Sequence, residues 1–253
     1  MDKLLKYIAL LLLIGFSVHA TAQNTGLRQG TSNTYQKPQS ITEPVRQPKS
    51  PFYFNSQSNL WNANALSNPK DPDAWMNYYK AKRLYIKTIS NNEVHKNGQK
   101  ELDKIVDQME KYIPGTFQYH YIKYLNSNHD PGLFEHLQKA YELQPGNAGL
   151  YDDFIAHYEI TSEPALKKEF CAKLDQSNTI PDFVYNYNYN VLMSLEKNAI
   201  LVTNGYDDTY PLWILQEIKG IRTDVTLLNQ ELLENDAYRE KMISNLNLNV
   251  STA

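Results

Sequence analysis

Residues Ala199-Ile-Leu-Val-Thr-Asn-Gly-Tyr-Asp-Asp-Thr-Tyr-Pro-Leu-Trp213 read as a strand, a polar loop and the start of a helix. Ala199–Val202 is a short apolar run, as a strand buried on both faces shows. Asn204-Gly205 interrupts it. Asp207, Asp208 and Thr209 each suit the cap of a helix beginning at Tyr210, and Pro211 suits its first turn. A polar loop between the carboxyl end of a strand and a helix is where open α/β sheets take ligands. Asn204, Gly205, Asp207, Asp208 and Thr209 are therefore the candidate ligand-binding residues. Capping is the favoured role for the two acids and Thr209; ligand contact and catalysis are the alternatives. No catalytic residue is assigned.

Downstream, Val225–Asn229 reads as a second strand and Gln230 to about Leu246 as a helix, with a break near Asn235-Asp236. Strand, helix and strand in this order imply a parallel pair with a right-handed crossover. Two parallel strands do not make a stable sheet alone. Leu246, Leu248 and Val250 alternate at the end of the chain. Either this edge packs on the last helical hairpin, or strands from elsewhere complete it. A truncated reading frame would also explain it. Residues 198–253 are thus a small α/β unit that could be incomplete.

Upstream, residues 58–197 carry helical spacing. A capped helix starts near Asp73, with Trp75, Tyr78 or Tyr79, Leu84 and Tyr85 in one apolar sector. Glu101–Tyr112 places Leu102, Ile105, Val106 and Met109 at 3–4 spacing and ends at Pro114-Gly115. Five more helices follow over 117–125, 131–143, 148–160, 163–174 and 181–195. Loops this short join antiparallel neighbours. In the last helix Phe183, Tyr187 and Val191 are expected inside, with Tyr185 or Asn188 outside. The fold class is mainly α, with helical hairpins followed by a small parallel β-α-β unit.

The amino terminus reads as a signal peptide over residues 1–22. Lys3 and Lys6 precede an apolar run from Tyr7 to Phe16, and Ala20-Thr21-Ala22 has the small-x-small form of a cleavage site. That run is too short to span a bilayer; an uncleaved anchor is the alternative. No later segment is apolar for 18 residues or more, so no transmembrane segment is expected after cleavage. The mature chain is expected in the periplasm of a Gram-negative bacterium, or secreted. Residues 23–57, rich in Pro, Ser, Thr and Gln, read as a flexible linker in which Phe52-Tyr53-Phe54 could dock on the folded body.

Charged residues make up 21% of the chain and its net charge is −3. That argues against a nucleic-acid surface, which needs a basic stripe. Tyrosine stands out, with 19 residues against 8 phenylalanines. Cys171, the single cysteine, sits beside Phe170 on a helical pattern and reads as a small buried residue. The six histidines form no metal motif, and neither a nucleophile elbow nor a phosphate-cradling Gly-rich loop occurs. No metal or cofactor is expected.

Two resemblances add to this. Leu137-Gln-Lys-Ala-Tyr-Glu-Leu-Gln-Pro-Gly-Asn147 resembles the second helix and linker of a tetratricopeptide repeat, and Asn68-Pro-Lys-Asp-Pro-Asp-Ala-Trp75 resembles a repeat entrance. The spacing departs from a uniform 34 residues, and an irregular helical bundle is the alternative. Separately, residues from about 198 to 240 are similar to the soluble segment of bacterial membrane proteins of unknown function that resemble protein O-mannosyltransferases. The matching residues are Thr203, Asn204, Gly205, Asp208, Thr209, Pro211, Leu212, Trp213, Gln216, Glu217, Gly220, Arg222 and Asp224. Tyr206 stands where that family has an acid, and Asp207 where it has an amide. The transferase-like portion of those proteins is their membrane part, so the resemblance carries no transferase activity to this chain.

The reading that follows is an exported, non-catalytic helical-repeat interaction or scaffold protein of the cell envelope, with a protein partner. The alternative is a glycan-related enzyme or sugar-binding module with its site at Asn204–Thr209. A recessed pocket at that loop, lined also by the helical region, would favour the alternative. A flat loop whose acids are spent on capping would favour the first.

Overall fold

The structure, a computed structural model, describes residues 37–43, 48–89 and 92–248. The expected signal peptide, the linker as far as residue 36, and Val250 lie outside the described residues.

Helix α1 (Pro51–Ser67) starts earlier than the sequence reading allowed, so residues 51–57 are helical, not linker. The cause is local. The Ser50 hydroxyl accepts from the Tyr53 amide, and Pro51 has the backbone angle of a first helical turn. Residues 37–43 are strapped to the helices as well. The Ile41 amide donates to Asn77 Oδ1 at 2.7 Å and the Trp61 indole to the Gln39 carbonyl at 2.8 Å. Ile41 is buried with Tyr53, Phe54 and Ala81.

The cap of α2 (Pro72–Thr88) is Asp71, with Pro72 following it in the first turn. Trp75 and Tyr79 are buried on the expected face. Helix α3 (Asn92–Tyr112) is nine residues longer than the spacing predicts at its start, and buries Leu102, Ile105, Val106 and Met109 as expected. Then follow α4 (Phe117–Asn126), α5 (Phe134–Leu143), α6 (Tyr151–Ile160), α7 (Pro164–Gln176) and α8 (Asp182–Met193). Consecutive helices pack in pairs, α1 on α2, α4 on α5 and α6 on α7. No helix among the described residues is long and apolar enough to cross a membrane.

The face of α8 is rotated from the sequence reading. Val184, Asn188 and Leu192 point inward, while Phe183 is 70% exposed and Tyr187 is exposed too. Aromatic content suggested the wrong stripe; a backbone acceptor decided the right one. Pro211 lies inside α9 (Tyr206–Glu217), where it has no N–H to offer the Asp207 carbonyl. Asn188 Nδ2 donates to that carbonyl at 2.8 Å, and to the Val184 carbonyl at 2.8 Å. The amide must face inward to do so.

Strands β1 (Ile200–Thr203) and β2 (Thr226–Asn229) pair in parallel, with Leu201 opposite Leu227 and Thr203 opposite Asn229. The expected burial of β1 on both faces does not occur, since Val202 is 51% exposed. A two-stranded sheet turns one face to the helices and leaves the other half open. Helix α10 (Asp236–Asn245) closes the described chain.

One continuous hydrophobic core runs from Ala65 to Met242, so the helices and the β-α-β unit share it. An ion network reinforces the join. Glu159 of α6 pairs with Lys167 of α7 at 2.7 Å and with Lys241 of α10 at 2.8 Å. Lys167 also reaches Glu217 of α9 and lies over the Trp213 ring. Arg222 and Asp224 form a structural pair at 2.9 Å, and Arg222 also donates to the carbonyls of Leu192, Leu195 and Glu196.

The Asn188–Pro211 relation can be tested by a double-mutant cycle. Asn188→Ala removes this side-chain donor from the Asp207 carbonyl and should cost about 1–3 kcal/mol in denaturant unfolding. Adding Pro211→Ala supplies an amide to that carbonyl and should recover part of the loss. Strict additivity of the two substitutions would contradict the account.

Candidate functional site

The carboxyl ends of β1 and β2 are fixed by a buried polar network. The Thr209 hydroxyl donates to Thr203 Oγ1 at 2.8 Å and accepts from Asn229 Nδ2 at 2.9 Å. Asn229 Oδ1 in turn accepts from the Leu232 amide at 2.9 Å. This network aims the segments after both strands toward the helical region. Between them and α2, α4 and α6 lies a cleft with two adjoining lobes, of about 540 and about 970 Å³. Arg83, Lys87, His129, Tyr210 and Glu231 line both lobes.

The helical region supplies most of the charge. Arg83 comes from the middle of α2, and its Nη1 lies 3.5 Å from the Glu43 carboxylate. Burial works against its charge, but Glu43, Tyr79 and Tyr121 outweigh it, so its pKa is raised. Asp152 and Asp153 occupy the first turn of α6, where the helix dipole favours acids. Burial first, and then the adjacent Asp153 carboxylate, push the Asp152 carboxyl well above the usual carboxylate range. Asp152 still keeps an open face to the cleft. Burial likewise raises the Tyr121 and Tyr210 phenols, which stay protonated donors.

His129 reaches the cleft from a strained turn. Asn128 and His129 have φ of 55° and 60°, the left-handed region that costs a non-glycine residue on the order of 1 kcal/mol or more. Asn235 holds both: its Nδ2 donates to their carbonyls at 3.2 and 3.3 Å, while its Oδ1 caps α10. His129 Nε2 meets Asp153 Oδ1 at 2.9 Å. Asp153 Oδ2, His129 Nδ1, Tyr124 Oη and His157 Nδ1 are buried with no hydrogen-bond partner. Such atoms are uncommon in folded proteins, and Gln57 Nε2 and Ser58 Oγ on α1 are two more. Beneath the cleft, His157 stacks on Phe134 with ring centroids 3.5 Å apart.

The five residues expected at the site are dispersed. Asn204 lines the larger lobe and Gly205 the smaller. Gly205 is the N-cap of α9, with φ of 81°. A Cβ there would meet nothing within 4 Å, so the backbone angle and not space calls for glycine. Asp207 and Asp208 lie in the first turn of α9, which begins four residues earlier than expected, and α9 has no side-chain cap. Capping is therefore not their role. Both are half-buried, and burial followed by Asp207 raises the Asp208 carboxyl. Thr209 is fully buried in the polar network. Tyr206, the departure from the resembled family, lines the smaller lobe instead.

Arg83, His129, Asp152 and Asp153 were not found from the sequence. Adjacent acids at a helix start read as ordinary dipole partners, and nothing in Asn128-His129 announces a left-handed turn. Among the described residues no three His, Cys, Asp or Glu side chains gather into a metal-holding group. The Cys171 thiol is buried and pushed up to about 12, so it is no nucleophile at neutral pH.

A family model described as TMEM260-associated domain 2 matches residues 184–250. No curated protein and no solved structure matches the chain. The matched span covers the segment that carries the second family resemblance. It includes Asn204, Tyr206, Tyr210 and Glu231 of the cleft, and leaves Arg83, His129, Asp152 and Asp153 outside.

The buried imidazole under the cleft makes stability pH-dependent. Burial lowers the pKa of His157 from 6.5 to about 4. The unfolded chain therefore binds a proton through this window that the folded chain refuses, so stability falls as pH drops from 6.5 towards 4. Thermal unfolding of His157→Phe should show a shallower slope over that range. His120 and His136, also lowered by burial, leave a residual slope. An unchanged slope would show that His157 is not responsible.

Proposed function

We propose that the chain is a non-catalytic sugar-binding module exported to the cell envelope, and that the glycan seats in the cleft between α2, α6 and the ends of the two strands. The observation that carries this reading is Asp153, a carboxylate more than nine-tenths buried in the wall of a cleft built by both parts of the chain, with its Oδ2 lacking a hydrogen-bond partner. Sugar hydroxyls are donors and acceptors at once. They suit a carboxylate oxygen, the Asp152 carboxyl and phenolic hydroxyls together. Tyr206 and Tyr210, whose rings lie 4.9 Å apart, offer an aromatic surface at the rim. A glycan panel should raise the melting temperature of the mature chain for at least one member. Asp152→Ala, at a half-open position, should abolish that rise with little change in unliganded melting. A panel that shifts nothing would reject the reading.

A second reading, the tetratricopeptide-like scaffold with a protein partner, is favoured by one feature. Phe183 and Tyr187 form an exposed apolar row one helical turn apart on α8. On this reading the Phe183→Ser/Tyr187→Ser variant loses capture of an envelope protein that the wild-type chain retains, while its glycan response is unchanged. Equal capture by both would remove the support.

A further inference from the structure

We infer that the ligand of the cleft is an acidic sugar, its carboxylate or phosphate group seated on Arg83 and its hydroxyls on Asp152 and Asp153. This rests on the sugar-binding reading and specifies the substrate class.

The two walls differ in sign. Lys80, Arg83 and Lys87 lie three and four residues apart on α2, so they share one face, and all three line the smaller lobe. Two of them are engaged: Lys80 lies 5.6 Å from the Tyr121 ring centroid, and Lys87 pairs with Glu231 at 3.4 Å. Arg83 differs. Among the described residues its single acceptor is Glu43, through one nitrogen at 3.5 Å. A guanidinium has five donors in a planar fork, and a well-made charge-assisted pair is about 2.7–2.9 Å long. Arg83 is therefore held in the cleft by a weak carboxylate contact that satisfies a fraction of its capacity. Its partner sits on the strap over residues 37–43, and not on a helix.

The facing wall on α6 does the opposite. Asp153 lines it with a carboxylate whose buried Oδ2 has no partner, and Asp152 adds a carboxyl beside it. A neutral sugar would satisfy α6 and leave Arg83 as it is. A sugar with an anionic group satisfies both walls at once, and replaces Glu43 with a bidentate oxyanion. Glu43 then acts as a built-in competitor, since its own charge repels the incoming group.

Calorimetry on the full mature chain with matched pairs tests this: galacturonate against galactose, glucuronate against glucose, and mannose 6-phosphate against mannose. At least one acidic member should bind about tenfold or more tighter than its neutral partner, the range of a charge-assisted contact. The pairs that respond tell a carboxylate from a phosphate. Arg83→Gln should erase the preference and leave the neutral affinity. Glu43→Gln should strengthen acidic binding several-fold and leave neutral binding unchanged, so it decides the matter even where Arg83→Gln fails to fold. Neutral members that bind as tightly as acidic ones would overturn this inference and leave the sugar-binding reading standing. Binding of neither class would reject both.

Discussion

The cleft exists because Thr209 is tied to Thr203 and Asn229. Each strand is four residues long, and the sheet has two strands. Ladder bonds alone would leave their carboxyl ends free to fray. The three side chains form a closed set, in which one hydroxyl donates, accepts and is fully buried. Buried polar groups stabilise a structure only when satisfied, and here they also set register: Thr203 and Asn229 are opposite each other in the ladder. With both ends pinned, Asn204 and Gln230 leave the sheet on the same side. Valine in place of Thr209 would keep the volume and strand the Asn229 amide, which is why shape alone does not specify this point.

The other half of the cleft is positioned against strain. Asn128 and His129 adopt left-handed angles that neither prefers. The compensation comes from Asn235, more than a hundred residues later, whose side chain caps α10 with its oxygen and holds the turn with its nitrogen. A single amide thus links the placement of His129 to the folding of the β-α-β unit. The Glu159–Lys167–Lys241 network repeats the logic at the opposite end of α6. Burial opposes the Glu159 charge, yet the two ammonium groups outweigh it and lower its pKa. The helices and the β-α-β unit are therefore one body, and a site between them keeps its geometry.

Much of the architecture was legible in the residues because it follows from periodicity and punctuation. The 3–4 spacing of Leu102, Ile105, Val106 and Met109 needed no tertiary information. Neither did the strand–helix–strand order around Pro211. The errors have a common source. Hydrophobicity favours one stripe of α8, but the Asp207 carbonyl, which Pro211 cannot serve, draws Asn188 inward from a different helix. Three capping residues point to a start of α9 at Tyr210; Gly205, free to adopt a positive φ, starts it at Tyr206 instead. Polar composition suggests a linker as far as Gln57, though Ser50-Pro51 is a helix-start signal. Of the site, the sequence located the strand-end segment but not the facing wall. Arg83, His129 and Asp153 meet only in three dimensions, and each is unremarkable in its own stretch of chain.

The polar deficit under the cleft is the strongest physical statement about function. Tyr124 Oη, His129 Nδ1, Asp153 Oδ2 and His157 Nδ1 belong to side chains that touch or neighbour one another, and none of these atoms has a partner. Each buried polar group that neither the protein nor water satisfies costs about 1–3 kcal/mol. A binding cleft, as proposed above, has a use for such a cluster. Groups held in place and kept from bonding to the protein are preorganised, so a ligand that satisfies them loses little in ordering them. On the proposed reading, groups poised in this way are what would make the cleft selective.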